Sequence, residues 1–239
     1  MEAAHHVEEG AGGDEQDDGQ GAGAAAGEGQ LAPGRHPADV ATVAPADEQG
    51  ADDEQGDLRV HGGPDKAIHH YPRDHYRAWS ADIGLHPLLE QPGAFGENIT
   101  TTGMLEHTVC LGDRYRMGTA LVEVSQSRQP CWKLSDRFAI PDMARRVQDT
   151  GRTGWYYRVI EEGYVQQGDT LVLADRPHAA WPLSRLIDLL YQRAIDPGIL
   201  HDVLALPLVP SWHLLFQRRL ERGAVEDWAK RLTGIAPDP

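Results

Sequence analysis

One cysteine of this chain lies where its sulfur could act as a nucleophile or as a metal ligand. Cys131 follows Pro130, which cannot donate to a strand ladder, so the preceding β-type run should end there and leave the thiol on a loop. Arg128 and Lys133 flank the cysteine closely, and nearby cations favour the reactive thiolate. The alternative is a packing role, because free cysteine is often a buried residue.

A second segment, from His61 to Pro72, is dense in titratable groups. Its two adjacent glycines permit positive φ angles and leave backbone N–H groups uncovered, which suits an anion. His61, Lys66, His69 and His70 could add charge to such a pocket. A zinc site and ordinary surface histidines in a turn are the alternatives, although adjacent histidines rarely face one tetrahedral ion.

The acidity of the chain is confined to its first part. Residues 1–57 hold fifteen Asp and Glu and one Arg, which is −14 of the total net charge of −15. Residues 1–56 have no aromatic side chain, so they cannot bury enough apolar surface to offset the backbone entropy of ordering. We predict a disordered, acidic, low-complexity tail, followed by a nearly neutral folded part that gives no electrostatic footprint for nucleic acid.

The sequence lacks a recognisable export signal and any long apolar stretch. We therefore expect a soluble, cytoplasmic protein with no membrane partner. Two cysteines are too few for a disulfide framework, although a Cys110–Cys131 bridge stays an alternative.

Short β-type runs between glycine-containing turns predict an antiparallel sheet or barrel with peripheral helices. The predicted strands are Val109–Leu111, Arg114–Met117, Ala120–Val124, Trp155–Ile160 and Thr170–Leu173. Helical spacing predicts a helix over 75–83, capped by Asp74, and another from Asp142 to Gly151. Asn98, in a glycine-rich loop, either binds a ligand or closes a turn.

Beyond residue 175 the pattern changes to apolar residues at helical spacing. Three segments, opened by Pro182, Asp196-Pro197 and Ser211, predict a small three-helix bundle over 176–239. Arginines 218, 219 and 222 form a basic spot on the third helix, but neighbouring acids dilute it. A solvated helix face is favoured there over a surface that reads DNA.

Five motifs occur in one order along the chain. They are His61-Gly-Gly-Pro-Asp-Lys-Ala-Ile-His-His-Tyr-Pro72, Phe95-Gly-Glu-Asn-Ile-Thr100, Cys110-Leu-Gly-Asp113, Val124-Ser-Gln-Ser-Arg-Gln-Pro-Cys-Trp-Lys-Leu134 and Thr150-Gly-Arg-Thr-Gly-Trp-Tyr156. Together they resemble the MOSC domain (molybdenum cofactor sulfurase C-terminal) over residues 57–235. The helical C-terminal part makes the sequence similar to the YiiM-like branch, which is associated with resistance to 6-N-hydroxylaminopurine.

The resemblance implies a mainly β fold, an antiparallel MOSC β-barrel over 57–175 with peripheral helices and an appended three-helix domain. It implies that Cys131 ligates molybdenum in a molybdopterin-type cofactor, and that the protein reduces N-hydroxylated compounds such as purines. Residues expected around this site are His61, Lys66, His70, Arg73, Asn98, Arg128 and Lys133. His61 or His70 is the expected proton donor, and Lys66 and Arg73 the expected phosphate ligands.

MOSC domains begin with a barrel strand, whereas an acidic tail precedes Asp57 here. Three interpretations are open. The first strand is supplied by a weak segment such as Val40–Val43, the barrel is incomplete, or the encoded start is not the native one.

Motifs for an iron–sulfur cluster or a dinucleotide are not recognisable in the sequence, so a separate flavoprotein reductase is the expected electron donor. Two alternatives remain. A sulfur-carrier or cofactor-delivery module would use a Cys131 persulfide, and a non-catalytic protein would bind an anion in the same pocket.

Overall fold

The computed structural model describes residues 63–191 and 195–234, and the backbone of two short upstream strands within 29–43. The predicted site residue His61 and the β-type run at 58–60 lie outside the described residues. No helix in these ranges is long and apolar enough to cross a membrane.

An antiparallel sheet forms the centre of the molecule. Its strands are β1 (Gly29–Gln30), β3 (Ile68–His70), β4 (Arg114–Met117), β5 (Ala120–Ser127), β6 (Trp155–Glu161) and β8 (Thr170–Asp175), while β2 (Ala41–Val43) and β7 (Gly163–Val165) form a separate pair. In the six-stranded sheet the order is β1-β8-β4-β5-β6-β3, and every ladder is antiparallel. The predicted antiparallel, mainly β architecture with peripheral helices is confirmed.

Two pieces of the predicted disordered tail are strands in the structure. β1 extends the main sheet by pairing with β8, and β2 pairs with β7. The weak segment Val40–Val43 therefore contains a strand, as one of the sequence interpretations expected. Its backbone gains ladder partners in β7, which a propensity argument confined to the tail could not anticipate.

The long strand β5 is a central strand of the sheet, because it pairs with β4 on one side and with β6 on the other. Seven of its eight residues are buried, as expected for a central strand covered on both faces. The junction between β6 and β3 requires Gly154. Its φ is +66°, and a Cβ there would lie 2.3 Å from the carbonyl oxygen of His70.

Three helices pack on the end of the sheet that carries β3. They are α1 (Asp74–Ile83), α2 (Lys133–Phe138) and α3 (Met143–Thr150). Their apolar faces enclose an aromatic core in which the Tyr71 and Phe95 rings stack with centroids 4.0 Å apart. The helices predicted at 75–83 and 142–151 are confirmed, but Asp74 is the first residue of α1 and not its cap. Helix α2, directly after the cysteine loop, was not predicted.

The C-terminal part contains α4 (Leu183–Tyr191), α5 (Pro197–Leu204), α6 (Pro210–Arg222) and α7 (Ala229–Thr233). The predicted three helices are confirmed, and the short α7 is an addition. Apolar residues of α4, α5 and α6 share one continuous core with the sheet, so the helices are not merely appended. Leu232 of α7 instead joins the aromatic core.

The predicted solvated basic spot on α6 is wrong for Arg219. This side chain is only 2% exposed, and its guanidinium donates to the carbonyl oxygens of Leu189 and Leu190 and to the Glu226 carboxylate. A guanidinium can be buried here because its donors are matched by acceptors.

The predicted strand around Cys110 is a turn. Its amide donates to Asp113 Oδ2, the Asp113 amide donates back to the Cys110 carbonyl, and the only bridge at this point is to Pro182. Arg176 binds both carboxylate oxygens of the fully buried Asp113, which ties the chain after β8 to this turn. Cys110 and Cys131 are both free thiols.

Candidate functional site

Cys131 lies at the point where β5 gives way to α2. The strand ends at Ser127, the Arg128 amide still donates to Gly154 (3.0 Å), and Gln129 and Pro130 carry the chain outward. After the cysteine the chain turns at once into the helix, with the Leu134 amide donating to the Cys131 carbonyl. The predicted loop position of Cys131 is confirmed, and the residue is partly exposed.

Cationic and amide side chains surround Cys131 in a small cavity that is open to solvent. The lining residues are Lys66, Gln126, Arg128, Gln129, Cys131, Tyr156 and Arg231. Three positive side chains thus converge on one sulfur from three separate parts of the chain. Such a set suits a ligand that offers negative charge and a soft metal.

Two hydrogen-bond donors of this cavity are buried without a partner among the described residues. They are Arg128 Nη1 and Gln129 Nε2. An unpaired buried donor costs about 1–3 kcal/mol, so such groups usually mark a place where something else supplies the acceptor. Oxyanions such as phosphate are acceptors of the kind that these two donors bind.

Lys66 reaches the cavity from a short 3₁₀ turn, Pro64–Lys66, that packs on the sheet. Ser125 of β5 donates to the Asp65 carbonyl (2.5 Å), and Arg158 of β6 forms an ion pair with the Asp65 carboxylate (3.1 Å). Burial and the positive charge of Arg231 lower the pKa of Lys66. The lysine therefore releases a proton more readily than a solvated one would.

Tyr156 forms another wall of the cavity. Burial raises the pKa of its phenol, against the opposing effect of Arg128. The phenol thus stays protonated at neutral pH and can serve as a hydrogen-bond donor.

The predicted proton donor His70 belongs to the core. It is fully buried, its Nδ1 lies 3.0 Å from the Tyr157 hydroxyl, and its Nε2 lies 2.9 Å from the Thr101 hydroxyl. Burial lowers the pKa of His70 to about 3. The ring is neutral and fully engaged, and it does not line the cavity, so the structure does not support a catalytic proton from this residue.

Three other predicted cofactor ligands are not brought to the cavity. Asn98 Oδ1 accepts from the His69 amide (2.8 Å), so this side chain fixes β3 to the glycine-rich loop. Arg73 lies over the Tyr76 ring and donates to the Glu90 carbonyl, and Lys133 begins α2. Of the described residues predicted for the site, Cys131, Lys66 and Arg128 are the ones that meet there.

Sequence reasoning missed Gln126, Gln129, Tyr156 and Arg231. A strand's twofold repeat places Gln126 on the same face as Arg128, so this residue was within reach of a pattern argument. Tyr156 pairs with Gln126 across the ladder, which only the register reveals. Arg231 is 101 residues away from Pro130, its hydrogen-bond partner, and no local pattern connects them.

The sequence matches the MOSC domain over residues 57–172 and the YiiM-like, 3-alpha helix domain over residues 181–223. The chain belongs to the MOSC domain family, and its helical C-terminal part places it with the YiiM-like members.

Named relatives agree with this assignment. The chain is 40% identical to Protein YiiM of Escherichia coli (strain K12) over 183 residues, which are 76% of this chain and 81% of that protein. It is 40% identical to the uncharacterized protein YflK of Bacillus subtilis (strain 168) over 171 residues, 71% of this chain and 76% of that one. A protein named Reductase from Gibberella moniliformis is 38% identical over 67% of this chain, but the match spans only 29% of that longer protein.

Solved structures show the same fold. The crystal structure of YiiM from Escherichia coli superimposes with a TM-score of 0.70 at 34% identity, covering 81% of this chain and 92% of that one. YiiM from Geobacillus stearothermophilus gives a TM-score of 0.66 at 33% identity, covering 82% and 97%.

Proposed function

We propose that this protein reduces N-hydroxylated compounds, including N-hydroxylated purines, to amines with a molybdopterin-type molybdenum cofactor bound at the Cys131 cavity. One observation carries the proposal, namely the convergence of Lys66, Arg128 and Arg231 on a partly exposed cysteine. Membership of the MOSC family and a relative named Reductase support an oxidoreductase.

The residues present fit such a cofactor. The Cys131 sulfur is a soft donor of the kind that binds molybdenum alongside dithiolene sulfurs. The guanidinium groups of Arg128 and Arg231, with the unpaired Nε2 of Gln129, would hold the cofactor's phosphate. When bound, the cofactor supplies the two-electron redox chemistry, and the protein supplies orientation and charge.

The balanced reaction is R–NHOH + 2 e⁻ + 2 H⁺ → R–NH₂ + H₂O. The N–O bond breaks, the nitrogen is reduced, and the oxygen leaves as water. A separate flavoprotein reductase is the proposed source of electrons.

Protons must reach the oxygen and the nitrogen inside the cavity. Among the described lining residues, Lys66 is the group whose surroundings favour proton release, so we assign its Nζ as the proton donor in place of His70. The protonated Tyr156 phenol can donate a hydrogen bond to the substrate hydroxyl.

The test is an assay of 6-N-hydroxylaminopurine reduction with a chemical electron donor. The protein is produced in a host that makes the molybdenum cofactor, and adenine formation is followed by chromatography. Wild type should turn over and Cys131→Ala should not. The matched control is Cys110→Ala, which alters the buried thiol that bonds the Ala179 carbonyl and should keep most of the activity.

The alternatives give different results. Turnover that survives in Cys131→Ala refutes the proposal. Absence of turnover together with molybdenum-independent phosphate binding at the cavity would instead identify a non-catalytic anion-binding protein.

A further inference from the structure

The last helix of the described chain is anchored beside the cysteine loop. Leu232 of α7 is 5% exposed and packs in the aromatic core that also contains Leu134 and Phe138 of α2. After the helix, Gly234 lies against the Trp132 ring, where an added Cβ would be 3.0 Å from the ring. The position of α7 relative to Cys131 is therefore fixed by packing.

Arg231 of α7 makes hydrogen bonds on both sides of Cys131. Its Nε donates to the Pro130 carbonyl (3.2 Å), and its Nη1 donates to Gln129 Oε1 (3.1 Å). The backbone carbonyl of Arg231 accepts from the Trp132 amide (2.9 Å). One residue thus fixes the two positions before the cysteine and the position after it.

The guanidinium charge of Arg231 also reaches the cavity. Arg231 is a lining residue, and its positive charge contributes to lowering the pKa of Lys66 and opposes the rise in that of Tyr156. Arg231 therefore does more than hold α7 against the rest of the protein, because its charge also affects Lys66 and Tyr156 in the cavity.

We propose that Arg231, which α7 brings to the site, has two roles. It positions Cys131, and it is a cation that binds the anionic group of the ligand. This inference rests on the proposed function in that it concerns the same cavity. It gives α7 a direct part in the site.

The binding role is tested by alkylating Cys131 in the full chain purified from a host that cannot make the molybdenum cofactor. Iodoacetate carries a negative charge and iodoacetamide does not, and both lose iodide when the sulfur attacks their carbon. The ratio of the two rate constants therefore reports the local charge, whereas a loosened loop changes both rates together. Peptide mass mapping confirms that the label is on Cys131.

Arg231→Gln should lower the iodoacetate-to-iodoacetamide ratio about threefold or more at low salt, and raised ionic strength should remove the difference. Arg231→Lys should keep the wild-type ratio, because it keeps the charge. The matched control is Lys230→Ala, which removes a positive charge from an exposed position of the same helix. An unchanged ratio in Arg231→Gln, or an equal fall in Lys230→Ala, overturns the binding role.

The positioning role has its own measurement, hydrogen exchange of the peptide that contains residues 129–134. Neither glutamine nor lysine can reproduce the guanidinium fork, so Arg231→Gln and Arg231→Lys should both exchange faster there, and Lys230→Ala should not. Wild-type exchange in both Arg231 variants overturns the positioning role. Neither measurement uses molybdenum or turnover, so a failure here is distinct from a failure of the proposed reductase activity.

Discussion

Gln126 of β5 lies directly opposite Tyr156 of β6 in the antiparallel ladder, and both side chains line the cavity of Cys131. Residues that face each other across a ladder project on the same side of the sheet, so these two side chains share one face of it. The β5–β6 ladder shifts its register between Val124 and Gln126, just before this pair. The cysteine loop follows β5 directly, and α7 contacts this loop through Arg231. Binding groups held by strands keep their spacing better than groups held by loops alone.

Lys66 is predicted to matter for turnover more than for cofactor binding. Lys66→Arg keeps the positive charge in the cavity but replaces a group of lowered pKa by one that does not release its proton. The turnover number should fall by about 10²-fold, while the molybdenum content stays near that of wild type.

The matched control for this experiment is Lys133→Arg, at a position that does not line the cavity, and it should leave turnover unchanged. Steady-state kinetics and metal analysis on the same preparations provide the comparison. Wild-type turnover in Lys66→Arg would rule out Lys66 as the proton donor.

His70 is predicted to make the fold sensitive to acid. Burial holds its pKa near 3 in the folded protein, against 6.5 in an unfolded chain. Between these values the unfolded state binds a proton that the folded state does not, so the free energy of unfolding decreases as the pH falls below about 6.5. The contribution of this one residue between pH 7 and pH 5 is about 2 kcal/mol.

Urea unfolding at pH 7 and pH 5 checks this contribution. His70→Asn should lose about 2 kcal/mol less than wild type over the same interval, whatever its stability at pH 7. The exposed His201→Asn serves as the control and should follow wild type. A His70→Asn variant with the full wild-type pH dependence would show that His70 is not a neutral core residue.

Arg219 is predicted to be the structural arginine of α6. Arg219→Ala leaves the carbonyl oxygens of Leu189 and Leu190 and the Glu226 carboxylate without their donor, which should lower the free energy of unfolding by about 3 kcal/mol or more. Arg218→Ala and Arg222→Ala, at exposed positions of the same helix, should each change it by less than about 0.5 kcal/mol. Equal effects of the three variants in denaturant titrations would contradict the buried network.

The sequence revealed what depends on local chemistry. Pro130 cannot donate to a strand ladder, so the loop position of Cys131 was predictable. Lys66 and Arg128 were predicted for the site because Lys66 lies in the glycine-rich His61–Pro72 segment and Arg128 lies close to the cysteine. The errors arose where tertiary contacts decide. His70 has the composition of a catalytic residue and the surroundings of a core residue, and only the fold shows that Tyr157 and Thr101 occupy both of its nitrogens.

Arg231 is a site residue that could not be predicted from the sequence. Its own surroundings in sequence are those of a short polar helix, and its role depends on α7 packing beside a loop about a hundred residues earlier. From the sequence, Asn98 could bind a ligand or close a turn, because its side-chain amide can do either. In the structure its Oδ1 accepts from the His69 amide, which is a structural role.

The most direct test of this account is X-ray absorption at the molybdenum edge, combined with metal analysis, on protein made in a cofactor-competent host. For wild type we expect a sulfur ligand in addition to those of the cofactor. In Cys131→Ser that ligand should be missing or the molybdenum content should fall sharply, whereas Cys110→Ser should match wild type. A Cys131→Ser protein with the wild-type molybdenum content and an unchanged sulfur coordination would contradict the central claim that Cys131 holds the metal.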